Sequence, residues 1–420
     1  MGCAGSTTAV DEGACLRKHR YETKVFDVSV ERPRPAHSSK PSSPGPAPSF
    51  HEKHALIGRL GQGAFASVHL AKSADGELLA VKITDLRSKG STGWSASQLD
   101  MKKWENASKE IGVLQKASGL EHVVKFRGSY MEGGLSYILL ERCDTNFYQA
   151  LVRKQPALTE ATISKVFSQM LKGIVAVHSA GVVHRDIKPD NFMATGPDGA
   201  IKLCDFGLAA CVDPSVNVNA PGIKGVFGTP PYMAPEMLNG HSYGAKVDVW
   251  SFGVIVYLLF FGKFPYTPAK ASGSAMKAAI VAGLPAPTFT PEGRSQRGPG
   301  LVCHHAMWFS RLLLERHAGH RMKAKDALRH AFFDVPASER GTASLRPMLH
   351  SAKRIGAFSP AADDRSPPSS LDTRLIHLQE ERREKRPPSP IQAFEGKKRS
   401  RELPSDTSST NVGSEGETVT

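Results

Sequence analysis

Between about residues 54 and 335 the chain repeats apolar positions at the periods of strands and helices; outside those limits it does not. "HALIGRLGQGAFASVHLAK" (54–72) and "GELLAVKIT" (76–84) read as strands broken by glycine-containing turns. "ASKEIGVLQKAS" (107–118) places Ile111, Leu114 and Ala117 on one helical face. "LSYILLERC" (135–143) is a buried strand running into a polar connection. "TISKVFSQMLKGIVAVHSAG" (162–181) is a helix with Ile163, Val166, Phe167, Met170, Leu171 and Ile174 facing a core, stopped at Gly181. Strands fill the early part and helices the later part, which predicts an α+β protein with two lobes, one mostly strand and one mostly helix. "FGVIVYLLFFG" (252–262) falls short of the roughly 18 apolar residues that cross a bilayer, and it reads as a buried core helix.

The flanks have another character. Residues 32–49, "RPRPAHSSKPSSPGPAPS", form a Pro/Ser-rich extended linker, and after Phe333 Ser, Pro and charge take over. The chain therefore divides into a disordered segment and linker (1–53), a folded domain (54–333) and a disordered tail (334–420). A charged helix is expected over "TRLIHLQEERREKR" (373–386). No internal repeat is visible.

Charge changes this picture only in part. Of a net +14, residues 54–333 carry 32 basic against 21 acidic side chains, so the excess lies on the folded domain. That suits nucleotide phosphates, acidic substrates or a lipid surface without selecting one. Six scattered cysteines without a CxxC pair point to a reducing compartment and no zinc site. The first residues lack the apolar core of a signal peptide.

Candidate chemistry concentrates in "VVHRDIKPDNFM" (182–193). Such a run is ordinarily a solvated loop, yet its order is specific: Asp186 can serve as a base, Lys188 as a phosphate clamp and Asn191 as a metal ligand. Further pieces stand elsewhere. "LGQGAFASV" (60–68) is a glycine-rich turn between strands, a weak signal alone; "LLAVKI" puts Lys82 on the next strand. "KEIGVLQ" supplies the helical acid Glu110, "LCDFGLA" sets Asp205 after an apolar strand, and "GTPPYMAPE" follows at 228–236.

In this order the motifs resemble the eukaryotic protein kinases over roughly residues 54–333. The resemblance implies ATP and Mg²⁺ as cofactors and protein substrates as partners, with no nucleic acid and a monomeric chain. Asp186 would be the catalytic base and Lys188 the cation at the transferring phosphoryl group, with Asn191 and Asp205 as the metal ligands. The flap over the phosphates would comprise Leu60, Gly61, Gln62, Gly63, Ala64, Phe65, Ala66, Ser67 and Val68, with Ala66 in place of the third glycine. Val68 and Ala80 would sandwich adenine, Leu140 would be the gatekeeper, and the backbones of Glu141 and Cys143 the hinge. Lys82 would pair with Glu110; Glu105 is a rival, disfavoured because Leu114 falls four residues after Glu110, where the stacked spine of Phe126, Leu114, Phe206 and His184 needs it. Asp248 would anchor that spine, and Glu236 would pair with Arg321. Cys204 reads as a small core residue rather than a reactive thiol.

Lys188 and Thr229 match the serine/threonine pattern, and the wording around them is similar to the calmodulin-dependent-kinase-like group. No EF-hand loop is present, so no built-in calcium sensor is expected. Asn146 stands where kinases that select basic sites often carry an acid. The alternative is a pseudokinase scaffold, whose mark would be the loss of Lys82, Asp186, Asn191 or Asp205. Between Asp205 and Glu236 the hydroxyls are Ser215, Thr229 and Tyr232, and the usual phosphosite position holds Gly225. Thr229 is expected to bridge Asp186 and Lys188, with Asp213 as an unphosphorylated carboxylate for Arg185. Activity independent of activation-loop phosphorylation is therefore expected. "MGCAGS" fits myristoylation at Gly2 and palmitoylation at Cys3, with "RKHR" (17–20) adding attraction to anionic lipid, which implies the cytoplasmic face of a membrane. Against that, Lys385-Arg386 and Lys397 to Arg401 resemble a bipartite nuclear localisation signal.

Overall fold

The computed structural model describes residues 49–63, 66–88, 99–153, 158–213, 215–289, 302–359 and Leu375. Two compact units divide after Asp364; apart from Leu375, the described residues all belong to the first.

In chain order its elements begin with α1 (Phe50–Lys53), β1 (His54–Gln62), β2 (Ser67–Ser73), β3 (Leu78–Asp85), α2 (Met101–Ala117), β4 (Phe126–Glu132) and β5 (Leu135–Glu141). The helical part follows with β6 (Thr145–Asn146), α3 (Phe147–Arg153), α4 (Glu160–Ser179), β7 (Val182–Val183), β8 (Phe192–Thr195), β9 (Ala200–Leu203) and β10 (Ala210–Cys211). It ends with α5 (Pro235–Leu238), α6 (Lys246–Phe261), α7 (Gly273–Ala282), α8 (His304–Leu313), α9 (Ala324–Ala327) and α10 (Arg346–Arg354). The first lobe is an antiparallel five-stranded sheet in the order β1-β2-β3-β5-β4. The second is helical.

Strand alternation sets the two faces of the sheet. In β3, Leu79, Val81 and Ile83 are buried on one face, while Ala80 and Lys82 stand on the other. Register carries this across the sheet: Lys82 lies opposite Val68 on β2 and Ile138 on β5, and Ala80 opposite Leu140. Ile138 in turn belongs to the core that includes Leu114 of α2. In the second lobe α6 is apolar on every side, and each residue from Val247 to Phe261 is buried. A helix of that kind needs protein all round it. It ends at Gly262, whose left-handed backbone (φ 70°) terminates the helix.

Both ends of the folded domain extend further than the hydrophobic pattern predicts. Within the N-terminal segment assigned to disorder, Phe50 is fully buried, its ring stacked on Tyr137 at 4.4 Å and on His54 at 5.1 Å. At the other end, the tail expected to be disordered from residue 334 stays folded to Ser359. Leu349 and Ala352 fall on one face of α10 and are buried, as is Leu345 just before the helix starts. The Leu345 N–H donates to the Leu158 carbonyl at 2.7 Å, and both Arg346 terminal nitrogens reach the Val152 carbonyl at 3.2 Å. The fully buried Glu160 carboxylate accepts from the Gly341 N–H at 2.9 Å. Phe358 then packs on Tyr148, ring centroids 5.0 Å apart. Each large side chain buried this way contributes about 1.5–3 kcal/mol. That outweighs a polar composition in which the apolar residues are few but correctly spaced. The charged helix expected over 373–386 lies, apart from Leu375, outside the described residues, as do residues 1–48.

Candidate active site

The cleft face of β3 delivers Lys82, and α2 delivers the acid that meets it. Asp100 caps α2 by accepting from the Lys103 N–H at 3.1 Å, which fixes the helix start. Lys82 Nζ then donates to Glu110 Oε1 at 2.6 Å and to Asp205 Oδ1 at 2.8 Å. Glu110 is buried and Glu105 is exposed, which decides between the rivals. Burial alone would lower the Lys82 ammonium; the charges of Glu110 and Asp205 override it and hold it well above the ordinary lysine value. For Asp205, partial desolvation in the cleft pushes the carboxyl up, but the Lys82 charge and hydrogen bond outweigh it and keep the group below its ordinary value.

The loop that carries Asp186 is assembled around one buried acid. Asp248 of α6 is fully buried and accepts from the backbone N–H of His184 at 2.9 Å and of Arg185 at 2.8 Å. The His178 ring meets the same carboxylate at 2.8 Å. Burial acts to raise the Asp248 carboxyl, and the hydrogen bond and charge of His178 pull it below the ordinary value. His184 Nδ1 accepts from the Asp186 N–H at 3.3 Å, leaving Nε2 to donate to the Cys204 carbonyl at 3.0 Å. Arg185 (φ 65°) and Asp205 (φ 59°) hold left-handed backbone, which costs roughly 1–3 kcal/mol each in non-glycine residues.

These contacts bring Asp186, Lys188 and Asn191 of "HRDIKPDN" to one point. Asp186 Oδ1 accepts from Thr229 Oγ1 at 2.9 Å, and Oδ2 meets Lys188 Nζ at 2.8 Å and Asn191 Nδ2 at 3.2 Å. Lys188 also donates to Thr229 Oγ1 at 3.0 Å. Leu114 and Phe206 are buried in one cluster, Phe126 packs on it, and the His184 ring lies 5.0 Å from that of Phe206. Across the cleft, Leu60, Gly61 and Gln62 lie on β1, Ser67 and Val68 on β2, and the Gly63 N–H donates to the Ala66 carbonyl at 2.8 Å. Ser67 is fully buried and holds His69 at 2.9 Å, so it faces away from the cleft; Ala64 and Phe65 lie outside the described residues.

Glu141 closes β5, its carboxylate held at 2.8 Å by both Lys202 Nζ and the Lys125 N–H. Burial first, then the Glu141 charge, pushes the Cys143 thiol up to about 11. Burial raises the Cys204 thiol as well, and it donates to the Asn191 carbonyl at 3.3 Å. Neither is a thiolate at neutral pH. The Asn146 side chain accepts from the Gln149 N–H at 2.9 Å and so starts α3. Sequence reasoning missed His178, Lys202 and Phe227. His178 sits in an apolar helix 70 positions from Asp248, and Phe227 in a short loop, so no local pattern marks either.

Residues 54–333 match the family described as "Protein kinase domain". Over 232 residues the chain is 35% identical to calcium/calmodulin-dependent protein kinase type 1 of Caenorhabditis briggsae, covering 54% of this chain and 59% of that one. It is 29% identical over 252 residues to calcium-dependent protein kinase 4 of Arabidopsis thaliana, covering 58% and 46%. The chain thus spans about half to three-fifths of the curated relatives it matches. Among solved structures, the autoinhibited serine kinase domain of the giant muscle protein titin shares the fold with a TM-score of 0.58 at 22% identity, covering 73% of this chain and 88% of that one. By the match over residues 54–333, the chain belongs to the protein kinase domain family.

Proposed function

We propose that the chain is a serine/threonine protein kinase that transfers the γ-phosphoryl group of ATP to protein hydroxyls, working at a membrane. The observation that carries the chemistry is the convergence on Asp186: Thr229, Lys188 and Asn191 fix both carboxylate oxygens within 3.2 Å. A carboxylate so held can orient an acceptor hydroxyl and take its proton, and Lys188 beside it can neutralise the charge that builds on the transferred group. Lys82, steered by Glu110, provides the cation for the nucleotide phosphates. Asn191 commits its amide nitrogen to the Asp186 carbonyl at 2.7 Å, which turns its ligating oxygen the other way, and half of the Asp205 side chain is exposed. These two residues fit a divalent cation, and Mg²⁺ bound there would neutralise phosphate charge.

Purified protein incubated with radiolabelled ATP, Mg²⁺ and a generic basic protein substrate is expected to label serine or threonine. Absence of transfer across broad conditions would favour the scaffold reading.

The membrane part rests on "MGCAGS". A single myristoyl chain anchors only marginally, so the reading requires Cys3 acylation or the basic "RKHR" as a second contribution. In cells given a myristate analogue, the wild type is expected to be labelled and Gly2→Ala to lose the label entirely. An unlabelled wild type, or label that survives Gly2→Ala, refutes the anchor and leaves the basic pair at 385–386 and 397–401 as the better address.

A further inference from the structure

Arg185 sits between two parts of the chain that must agree in position. Its backbone N–H is fixed by Asp248, and the next residue is Asp186. Its side chain donates from Nε to the Leu208 carbonyl at 2.6 Å and from a terminal nitrogen to the Ala209 carbonyl at 3.3 Å. Those carbonyls lie three and four residues after Asp205. The guanidinium carbon also lies 4.1 Å from the centroid of the Phe227 ring. Phe227 comes two residues before Thr229, which bonds Asp186.

The loop is shaped to hold that ring in place. Gly225 (φ 99°) and Gly228 (φ 103°) flank it. A Cβ on Gly225 would fall 2.5 Å from the Phe227 ring, and one on Gly228 would fall 2.5 Å from the Arg185 carbonyl oxygen. Tyr243 adds a second tie by donating from its hydroxyl to the Gly225 carbonyl at 2.8 Å. Burial raises the Tyr243 phenol, opposed by the Arg185 charge beside it. The hydroxyls of the segment are committed as well: Ser215 Oγ donates to Asp213 at 2.6 Å, Thr229 to Asp186, and the buried Tyr232 to the Ala357 carbonyl at 3.0 Å.

We infer that Phe227 is a positioning residue: its ring, stacked on the Arg185 guanidinium, holds the activation segment in register with the loop that carries Asp186, without any phosphorylated side chain. An aromatic face attracts a cation through its quadrupole, so ring identity matters here as well as bulk. This rests on the kinase reading above.

The test compares Phe227→Leu, Phe227→Tyr and Phe227→Trp by steady-state kinetics, thermal melting and amide hydrogen exchange. Phe227→Leu is expected to lower kcat by about 3- to 30-fold, the range a cation–π contact spans. KM for ATP should hold, because the Lys82–Glu110–Asp205 cluster is separate. Phe227 is 37% exposed, so melting should barely shift. Exchange should quicken at residues 208–209 and 225–229 in Phe227→Leu, and Phe227→Tyr and Phe227→Trp should stay near wild type on every readout. Phosphatase treatment of the wild type should leave its activity unchanged. Wild-type kcat and exchange in Phe227→Leu, equal loss in the Leu and Tyr variants, a large drop in melting temperature, or loss of activity on dephosphorylation would each overturn the inference. An inactive wild type with exchange protection that still depends on the ring would instead count against the kinase reading alone.

Discussion

Asp186→Ala is expected to reduce phosphoryl transfer by about 10²–10⁴-fold, the range of a lost general base, while ATP affinity stays within a few-fold of wild type. The split follows from the geometry. Asp186 is bonded to Thr229, Lys188 and Asn191, of which Asn191 alone is also assigned to the divalent cation. Lys82, the cation proposed for the nucleotide phosphates, is held by a different set, Glu110 and Asp205. Removing the carboxylate therefore takes away acceptor orientation and proton removal and leaves the nucleotide cluster standing. Because Asp186 also organises its neighbours, Asp186→Asn should be measured beside it: the amide keeps the shape and loses the basicity. Both variants should fall in kcat, with the Asn variant melting nearer to wild type. Turnover close to wild type in the Asn variant would remove Asp186 from the role of base.

What the sequence made legible, and what it hid, separates along physical lines. The β3 alternation that places Lys82 on the cleft face is a local pattern, and so is the uninterrupted apolar run of α6. The choice of Glu110 over Glu105 was also legible, because helical periodicity ties Glu110 to Leu114 one turn later. Phe50 was not. It is one aromatic in a Pro/Ser-rich stretch, and its burial depends on Tyr137, far along the chain. The α10 segment was hidden for a related reason. Leu345, Leu349 and Ala352 have helical spacing, but they are spread among Arg, Ser and Lys in a region whose mean composition resembles disorder. His178 and Phe227 act through partners 70 and 42 positions away, His178 on Asp248 and Phe227 on Arg185. Contacts made through space leave no period to read.

The C-terminal extension bears on the site as well as on stability. The Ser359 N–H donates to Asp190 Oδ1 at 2.8 Å, and Tyr232 donates to the Ala357 carbonyl. Asp190 is the neighbour of Asn191, and Tyr232 follows Thr229 by three residues. The segment beyond the family match at residue 333 thus braces the two stretches that meet at Asp186.

Breaking the Glu236–Arg321 pair should have the largest effect on stability of any single change considered. Arg321 is 1% exposed and grips Glu236 through two parallel bonds of 2.7 and 3.0 Å. It also donates to the carbonyls of Glu315 at 2.8 Å and Lys246 at 3.0 Å, and its guanidinium carbon lies 5.0 Å from the Trp250 ring centroid. Arg321→Met fills much of the same space but leaves the Glu236 carboxylate buried without its cation and the carbonyls of Glu315, Lys246 and Arg316 without this donor. Removing one partner of a buried pair costs about 3–5 kcal/mol. For a domain of this size that corresponds to a fall of roughly 5–9 °C in melting temperature. Glu236→Leu should cost a similar amount, because it strands the guanidinium instead. The double variant should lose less than the two single losses combined, since each change removes the charge that the other leaves unpaired. Activity should fall along with stability, because α5, which carries Glu236, begins six residues after Thr229. Single variants that melt with the wild type would mean that the pair is structurally idle. Strictly additive losses would mean that its two charges do not act on each other.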